Sequence, residues 1–181
     1  MATIYTIGHG ARPAAELVGL LAGAGVGVLA DVRRHPGSRR HPQFGQAPLA
    51  ATLGEAGIAY EWHGESLGGR RSRAAGSRHT ALRTDAFAGY ADHLDTPLAR
   101  AAVDELILRS TIGVIAVMCA ETVWWQCHRM LIADASTLRG AQVTHLLAAG
   151  RRQAHRLSPT VRADAAGWPV YDLADTLPGL G

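Results

Sequence analysis

The chain has 181 residues, of which 48% are hydrophobic and 18% are charged, and its formal net charge is +3. This length corresponds to roughly one domain of about 150 residues, and the composition excludes an intrinsically disordered chain. The longest uncharged, mostly apolar stretch has only 14 residues, between Glu16 and Asp31. A membrane span needs about 20 residues, so no span is predicted.

The N-terminus has no basic segment ahead of an apolar one, so no signal peptide is expected. Two cysteines in 181 residues do not form a disulfide framework. We therefore expect a cytoplasmic protein with reduced thiols and no membrane partner.

The positive charge is unevenly distributed along the chain. All 18 basic residues are arginine, and nine of them lie between Arg33 and Arg83. Only three acidic residues, all glutamate, fall in the same segment, which therefore carries six excess positive charges. A local positive field favours anionic partners, so we expect an anionic ligand, possibly a nucleotide or nucleic acid.

Apolar periodicity and turn residues divide the chain into alternating strands and helices. In chain order, the predicted elements are a strand at 3–7, a helix at 13–23, a strand at 26–30, a loop at 34–48, a helix at 49–56, a strand at 58–62, a loop at 64–84, helices at 85–94 and 97–109, a strand at 112–118, a helix at 122–138, a strand at 142–146, a loop at 150–159 and an extended segment at 169–173. A helical turn is expected between the last two.

This alternation, with continuously apolar strands, predicts a single α/β domain over residues 1–181. Its sheet is expected to be mainly parallel and flanked by helices, as an open sheet or an incomplete barrel. The carboxyl ends of parallel strands meet at one edge, where ligands bind. The polar residues expected at this edge are His9, Asp31, Arg33, His63, Glu65, Cys119, Glu121 and His145.

Two cysteines lie in the densest chemical cluster of the sequence. Cys119 would lie between a strand end and a helix beginning at Thr122, where the helix dipole favours a thiolate and hence a nucleophile. A buried core residue, or a metal or redox role, is the alternative for Cys119. Cys127 is expected on the buried face of the helix. The C-x7-C-H spacing of Cys119, Cys127 and His128 matches no common zinc motif, so no metal ligands are assigned.

Glu121, His128 and His9 are the candidate acids or bases, and Asp31 is expected to orient a hydrogen-bond donor. An ion pair between Arg129 and Glu121 is a purely structural alternative for both residues. The residues expected to hold substrate phosphate or a base are Arg33, Ser38, Arg39, Arg40, Phe44, Gly68, Gly69, Arg70 and Arg129. Forked guanidinium donors suit phosphate oxygens, but the arginine-rich loops could equally be solvated without a ligand.

Several motifs occur together in this chain. They are Ile4-Tyr-Thr-Ile-Gly-His9, Asp31-Val-Arg-x-x-Pro36-x-Ser38, Pro42-x-Phe44, Leu67-Gly-Gly69, Gly89-Tyr90-Ala91, Met118-Cys-Ala-Glu121 and Cys127-His-Arg129. In this order they resemble the domain-of-unknown-function 488 family, from residue 4 to about residue 175. Gly10 departs from the family pattern, in which many members have serine. The resemblance implies a single α/β domain and brings no established reaction or cofactor.

Three functional hypotheses follow from the residues. The first is an enzyme acting on a phosphate-bearing substrate, such as a nucleotide or nucleic acid, with Cys119 as nucleophile. The second is a non-catalytic nucleic-acid-binding module that uses the arginines alone. The third is a metal- or thiol-dependent protein that uses Cys119, Cys127 and His128.

Overall fold

The computed structural model describes residues 1–37 and 39–173. Its strands are β1 (Thr3–Gly8), β2 (Val28–Asp31), β3 (Ala59–Trp62), β4 (Ile115–Cys119), β5 (Gln142–Ala148), β6 (Arg151–Ala154), β7 (Val161–Ala163) and β8 (Pro169–Tyr171). Its α-helices are α1 (Ala14–Ala22), α2 (Gln46–Glu55), α3 (Gly64–Leu67), α4 (Asp85–Leu94), α5 (Pro97–Arg109) and α6 (Arg129–Leu138).

Six strands form one open sheet in the order β3-β2-β4-β1-β5-β6. The first five are parallel to one another, and β6 runs antiparallel to β5. Strands β7 and β8 form a separate antiparallel pair. The predicted single α/β domain with a mainly parallel sheet is confirmed, and the sheet is open rather than closed into a barrel.

Strand β4 divides its side chains between two hydrophobic cores, one on each face of the sheet. Ile115, Val117 and Cys119 face a core shared with α4, α5 and α6. Ala116 and Met118 face the second core, which α1 and α2 cover. Because both faces are covered, all five residues of β4 are buried, which explains its continuous apolar sequence.

Helices α4 and α5 begin and end where the sequence predicts. The hydroxyl of Thr84 accepts the Phe87 N–H at the start of α4. The hydroxyl of Thr96 accepts the Ala99 N–H at the start of α5, where Pro97 occupies the first turn. Each cap satisfies a backbone donor that the helix itself leaves unpaired, which fixes the boundary.

The predicted helix start at Thr122 is wrong, because α6 begins only at Arg129. The end of β4 and the residue after it are instead bonded to the residues that follow β1. The N–H groups of His9 and Gly10 donate to the carbonyls of Cys119 and Ala120, at 3.0 and 2.9 Å. Only a short 3-10 turn at Trp124–Gln126 interrupts the irregular chain. Cys127 therefore precedes α6 in extended backbone rather than lying on a helical face.

Several other boundaries also differ from the prediction. Strand β6 lies inside the predicted loop at 150–159, and β7 replaces the expected helical turn. All four residues of β6 are exposed, so this strand has no apolar alternation to reveal it. The short helix α3 lies inside the predicted loop at 64–84. Strand β5 extends to Ala148, so His145 is a buried mid-strand residue and not an edge residue.

Candidate functional site

A pocket of about 400 Å³ opens at the carboxyl ends of β2 and β4. These strands are neighbours, but the chain leaves β2 towards α2 on one face and β4 towards α6 on the other. Such a switch point leaves a crevice at the strand ends, which is the usual ligand site of open α/β sheets. The lining residues are Arg33, Arg34, His35, Gly69, Arg70, Ala86, Phe87, Cys119, Ala120, Glu121, Gln126, Cys127 and His128.

The fold brings six predicted site residues to this pocket: Cys119, Glu121, His128, Arg33, Gly69 and Arg70. His9, Asp31, Phe44, Gly68, Arg39, Arg40 and Arg129 do not line it. The predicted Ser38 lies outside the described residues. The segment after β2 and the segment after β4 therefore meet at one site, as the parallel arrangement predicts.

The two cysteines form a close pair at the base of the pocket. Cys119 is the last residue of β4, and Cys127 lies eight positions further along the chain. Their Sγ atoms are 2.7 Å apart, and both are free thiols that are at least 95% buried. The third hypothesis placed both cysteines in one site, but the predicted helical position of Cys127 was wrong.

The pKa values of the two thiols shift in opposite directions because their surroundings differ. Burial raises the pKa of Cys119, but the hydrogen bond from Cys127 and the charge of Arg129 outweigh it and lower the pKa overall. The same hydrogen bond, together with burial, raises the pKa of Cys127 well above its usual value. Cys119 is therefore the group that ionises, and Cys127 keeps its proton and donates it.

Arg129 is the largest fully buried side chain of the described residues. Its Nη2 donates to the backbone carbonyls of Glu121 at 3.0 Å and Thr122 at 3.4 Å. Nε and Nη1 have no hydrogen-bond partner within residues 1–37 and 39–173. Arg129 thus contacts Glu121 through the backbone and not through the carboxylate. A buried guanidinium without a carboxylate partner is costly, and a Cys119 thiolate would offset its charge.

Glycine at position 8 allows the segment after β4 to approach the end of β1. A Cβ at Gly8 would lie 1.8 Å from the carbonyl oxygen of Glu121. That oxygen is the one that accepts a hydrogen bond from Arg129. The close approach therefore sets the position of the Arg129 guanidinium relative to the cysteines.

His128 forms one wall of the pocket beside Cys127. Its Nε2 lies 3.2 Å from the carbonyl oxygen of Val32, which requires the proton on Nε2. Nδ1 then carries a lone pair and lies 3.6 Å from the Sγ of Cys127. Burial, assisted by the charge of Arg129, lowers the pKa of His128 to about 4. The imidazole is therefore neutral near pH 7, and the lone pair of its Nδ1 lies beside the Cys127 sulfur.

Arginines from two segments form the mouth of the pocket. Arg34 and Arg70 are both exposed, and Nη1 of Arg34 donates to the Arg70 carbonyl at 3.2 Å. Arg70 has φ = 60°, and it is the only residue other than glycine with positive φ in the described ranges. Residues in strained backbone conformations cluster at functional sites. Arg34 belongs to the arginine-rich loop that the sequence predicts as a phosphate site, whereas no sequence pattern indicates a functional role for Phe87.

Arg33, which lines the pocket, forms a buried ion pair with Asp31. The Asp31 carboxylate accepts the backbone N–H, Nε and Nη2 of Arg33 and the hydroxyl of Tyr60. Arg33 Nη2 also donates to the Phe44 carbonyl at 2.8 Å, and Nη1 lies 3.3 Å from Nε2 of His9. Asp31 therefore orients a donor, and that donor is Arg33. The guanidinium is largely committed to protein acceptors.

His9 stacks on the Phe44 ring at a centroid distance of 4.3 Å. Its Nδ1 lies 2.8 Å from the Gly10 carbonyl oxygen. Burial is the main reason that the pKa of His9 is lowered to about 4. His9 and Phe44 therefore support the Asp31–Arg33 pair without lining the pocket themselves.

A second chain of buried polar groups runs beneath the Trp124 ring. Thr6 Oγ1 lies 2.6 Å from His145 Nδ1, and His145 Nε2 lies 3.0 Å from His155 Nδ1. His155 Nε2 then reaches the Asp134 carboxylate at 2.9 Å. Trp124 stacks on His145 at 4.1 Å. One set of neutral tautomers satisfies every bond in this chain, so it stabilises the segment that carries the cysteines.

Within residues 1–37 and 39–173, no group of three or more His, Cys, Asp or Glu residues is arranged to hold a metal ion. In the same part of the chain, no helix combines the length and apolar character that a membrane crossing requires.

The fold and the pocket define an open α/β protein with a paired-cysteine site at the switch point of its sheet. The family model described as "Domain of unknown function DUF488" matches residues 13–136, which is more than half of the chain, and the chain belongs to this family. The match includes the cysteine pair and the arginines of the pocket but not β1 or His9. Neither the comparison with curated proteins nor the comparison with solved structures found a match.

Proposed function

We propose that this protein is a cysteine-dependent enzyme that acts on a phosphate-bearing substrate, a nucleotide or nucleic acid, at the carboxyl edge of its sheet. One observation carries the proposal: the Cys119 thiol and the guanidinium groups of Arg34 and Arg70 border the same pocket. A thiolate is a nucleophile, and guanidinium groups bind phosphate oxygens.

Cys119 acts as the nucleophile because Cys127 and Arg129 favour its ionised form. The thiolate attacks an electrophilic atom of the substrate, and a covalent bond forms between that atom and Sγ. The leaving group takes up a proton from solvent through the exposed Glu121 side chain, which lines the same pocket. Water then attacks the intermediate and loses one proton to solvent through Glu121, so that the product and the Cys119 thiolate are released.

The dimensions of the pocket support a nucleotide-sized ligand. Its volume of about 400 Å³ lies within the usual range of small-molecule sites, roughly 300–1,000 Å³. The half-buried Phe87 ring lies in the lining and supplies an apolar surface for a base. Arg34 and Arg70 then hold the phosphate, while Asp31 and His9 hold Arg33 in the wall.

Exposed arginines beside the pocket support a second candidate, a nucleic-acid-binding module without catalysis. Arg39 and Arg40 are exposed but do not line the pocket. A long polyanion could contact them outside the pocket, and its affinity would fall steeply with salt concentration.

Alkylation of Cys119 by iodoacetamide tests the proposal. Pyrophosphate and nucleoside triphosphates should slow alkylation by occupying the pocket, and a Cys119→Ser variant should still bind them. Turnover of a nucleotide and oligonucleotide panel should be lost in Cys119→Ser and in Glu121→Gln. Full protection without any turnover would favour the binding module. The absence of both protection and binding at low salt would overturn both candidates.

A further inference from the structure

The proposed reaction needs one thiol, but the pocket holds two. The Cys127 sulfur lies 2.7 Å from the Cys119 sulfur. The backbone N–H of Arg129 donates to the Cys127 sulfur at 3.4 Å. On the other side, Nδ1 of His128 lies 3.6 Å from the same sulfur. A core cysteine would require none of these polar neighbours. The arrangement is that of a second reactive thiol held against the first.

We propose that Cys119 and Cys127 form a dithiol–disulfide couple that exchanges with low-molecular-weight disulfides bearing carboxylate or phosphate groups. The inference rests on the proposed function in one respect, since it uses the same nucleophile and the same arginine-bordered pocket. It extends that function by assigning a redox role to Cys127 and a chemical class to the oxidant.

The exchange proceeds in two balanced steps. The Cys119 thiolate attacks one sulfur of the substrate disulfide, so that a Cys119–substrate mixed disulfide forms and one substrate half leaves as a thiolate. Cys127 then attacks the Cys119 sulfur, and the second half leaves as a thiolate. The Cys127 proton passes to a departing thiolate. The protein loses two electrons to the substrate disulfide, which becomes one thiol and one thiolate, and the thiolate takes up a proton from solvent.

The backbone around the pair suits this chemistry. A disulfide bond is about 2.05 Å long, so the sulfurs need to approach by only a fraction of an ångström from their present 2.7 Å. Cys119 is fixed in β4, whereas Cys127 lies in extended backbone outside regular secondary structure. The movement therefore falls on the irregular segment and leaves the sheet intact.

The charge of the pocket selects the oxidant. Two exposed arginines, Arg34 and Arg70, line it against one carboxylate, that of Glu121. Arg33 also lines it, but the Asp31 carboxylate pairs with its charge. An anionic disulfide is attracted into this field and a cationic one is repelled, and salt weakens both effects. Oxidised glutathione and cystamine provide such a matched pair of probes.

The test follows the reaction of the full, reduced chain with each probe by intact mass spectrometry. Oxidised glutathione should convert the wild-type protein to a form lighter by two hydrogens, and this loss should map to the tryptic peptide 110–129, which contains both Cys119 and Cys127. The Cys127→Ser variant should stop at a glutathione adduct on Cys119, and Cys119→Ser should gain no adduct. The ratio of the reaction rate with oxidised glutathione to the rate with cystamine measures the preference for an anionic probe. At low salt, this ratio should be about tenfold higher for the wild-type protein than for a free small thiol.

The contribution of charge is tested with the Arg70→Asn variant. The control is Arg151→Asn, which lies on the edge strand β6. Only Arg70→Asn should reduce the preference for the anionic probe. A wild-type protein that forms no internal disulfide, or equal reactivity towards both probes, would overturn the inference. If pyrophosphate still protects Cys119 from iodoacetamide in that case, the proposed function stands without the redox role.

Discussion

The backbone of Gly69 packs directly against the imidazole of His128. A methyl group added at Gly69 would lie 2.8 Å from Nδ1 of His128, the atom that faces Cys127. The Gly69→Ala variant should therefore displace the ring and lose about 1–3 kcal/mol of unfolding free energy. Gly113→Ala is the control, since nothing lies within 4 Å of a Cβ there. Urea denaturation of both variants measures the difference, and equal midpoints would contradict the packing argument.

The Arg70→Asn variant should remove one positive charge from the mouth of the pocket without adding strain to the backbone at residue 70. Asparagine tolerates positive φ better than most residues, so the thermal midpoint should stay close to that of the wild type. The affinity for pyrophosphate should fall about tenfold with the loss of one guanidinium. Calorimetric titration measures this affinity, and Arg151→Asn should leave it unchanged. An unaltered affinity in Arg70→Asn would remove Arg70 from the binding site.

Replacement of Arg129 should change the ionisation of Cys119. Arg129→Met removes the buried charge that helps to lower the Cys119 pKa, so that pKa should rise and alkylation near pH 7 should slow by about tenfold or more. Arg129→Lys keeps the charge and should retain most of the reactivity. The ultraviolet absorbance of the thiolate, followed against pH, measures the pKa. A wild-type titration curve in Arg129→Met would show that Arg129 has only a packing role.

Loss of the Asp31 carboxylate should destabilise the protein strongly. Asp31→Asn leaves the Arg33 guanidinium buried without its counter-charge, which costs about 3–5 kcal/mol. Tyr60→Phe removes only the hydroxyl that donates to Asp31 and should cost about 1–3 kcal/mol. Chemical denaturation distinguishes the two. Equal losses would mean that the ion pair does not dominate this network.

Acid should destabilise the fold through three buried histidines. Burial is the first cause of the low pKa of each: about 4 for His9 and His128 and about 3 for His145. In the unfolded chain these groups titrate near 6.5. Between about pH 6.5 and pH 4 the unfolded state binds more protons, so unfolding free energy falls as pH falls.

Each of these protons contributes a slope of up to about 1.4 kcal/mol per pH unit below 6.5. The substitution His145→Gln should remove one proton from this slope. Denaturation midpoints measured from pH 7 to pH 4.5 provide the test, and a flat profile in the wild type would contradict it.

The sequence predicted the sheet well because its physical signal is local. Strand β4 is apolar on both faces, and Thr84 and Thr96 supply caps beside α4 and α5, so a short window carries the information. The exposed strand β6 lacks such a signal, since its only partner is β5. Edge strands of this kind are defined by their hydrogen bonds to the neighbouring strand rather than by their own composition.

The site was predicted only in part, for a similar reason. The sequence indicates that the segments after β2 and β4 meet, because parallel topology alone requires it. It misplaces the start of α6, because Thr122 has the residue type of an N-cap, whereas the chain between β4 and Arg129 is irregular apart from one 3-10 turn. That error gave Cys127 the wrong backbone conformation, although one hypothesis had placed it in a site with Cys119. Similarly, nothing local shows that Arg33 is held by Asp31 whereas Arg34 reaches the pocket.

Glycine has no functional group, yet the close approach at Gly8 affects the reactivity of the two thiols. Any side chain there would collide with the Glu121 carbonyl and lift it away from Arg129, so the two sulfurs would lose their neighbouring charge. Mutational intolerance at this position would therefore report on the electrostatics of a thiol located on another strand, and a survey of reactive groups alone would overlook it.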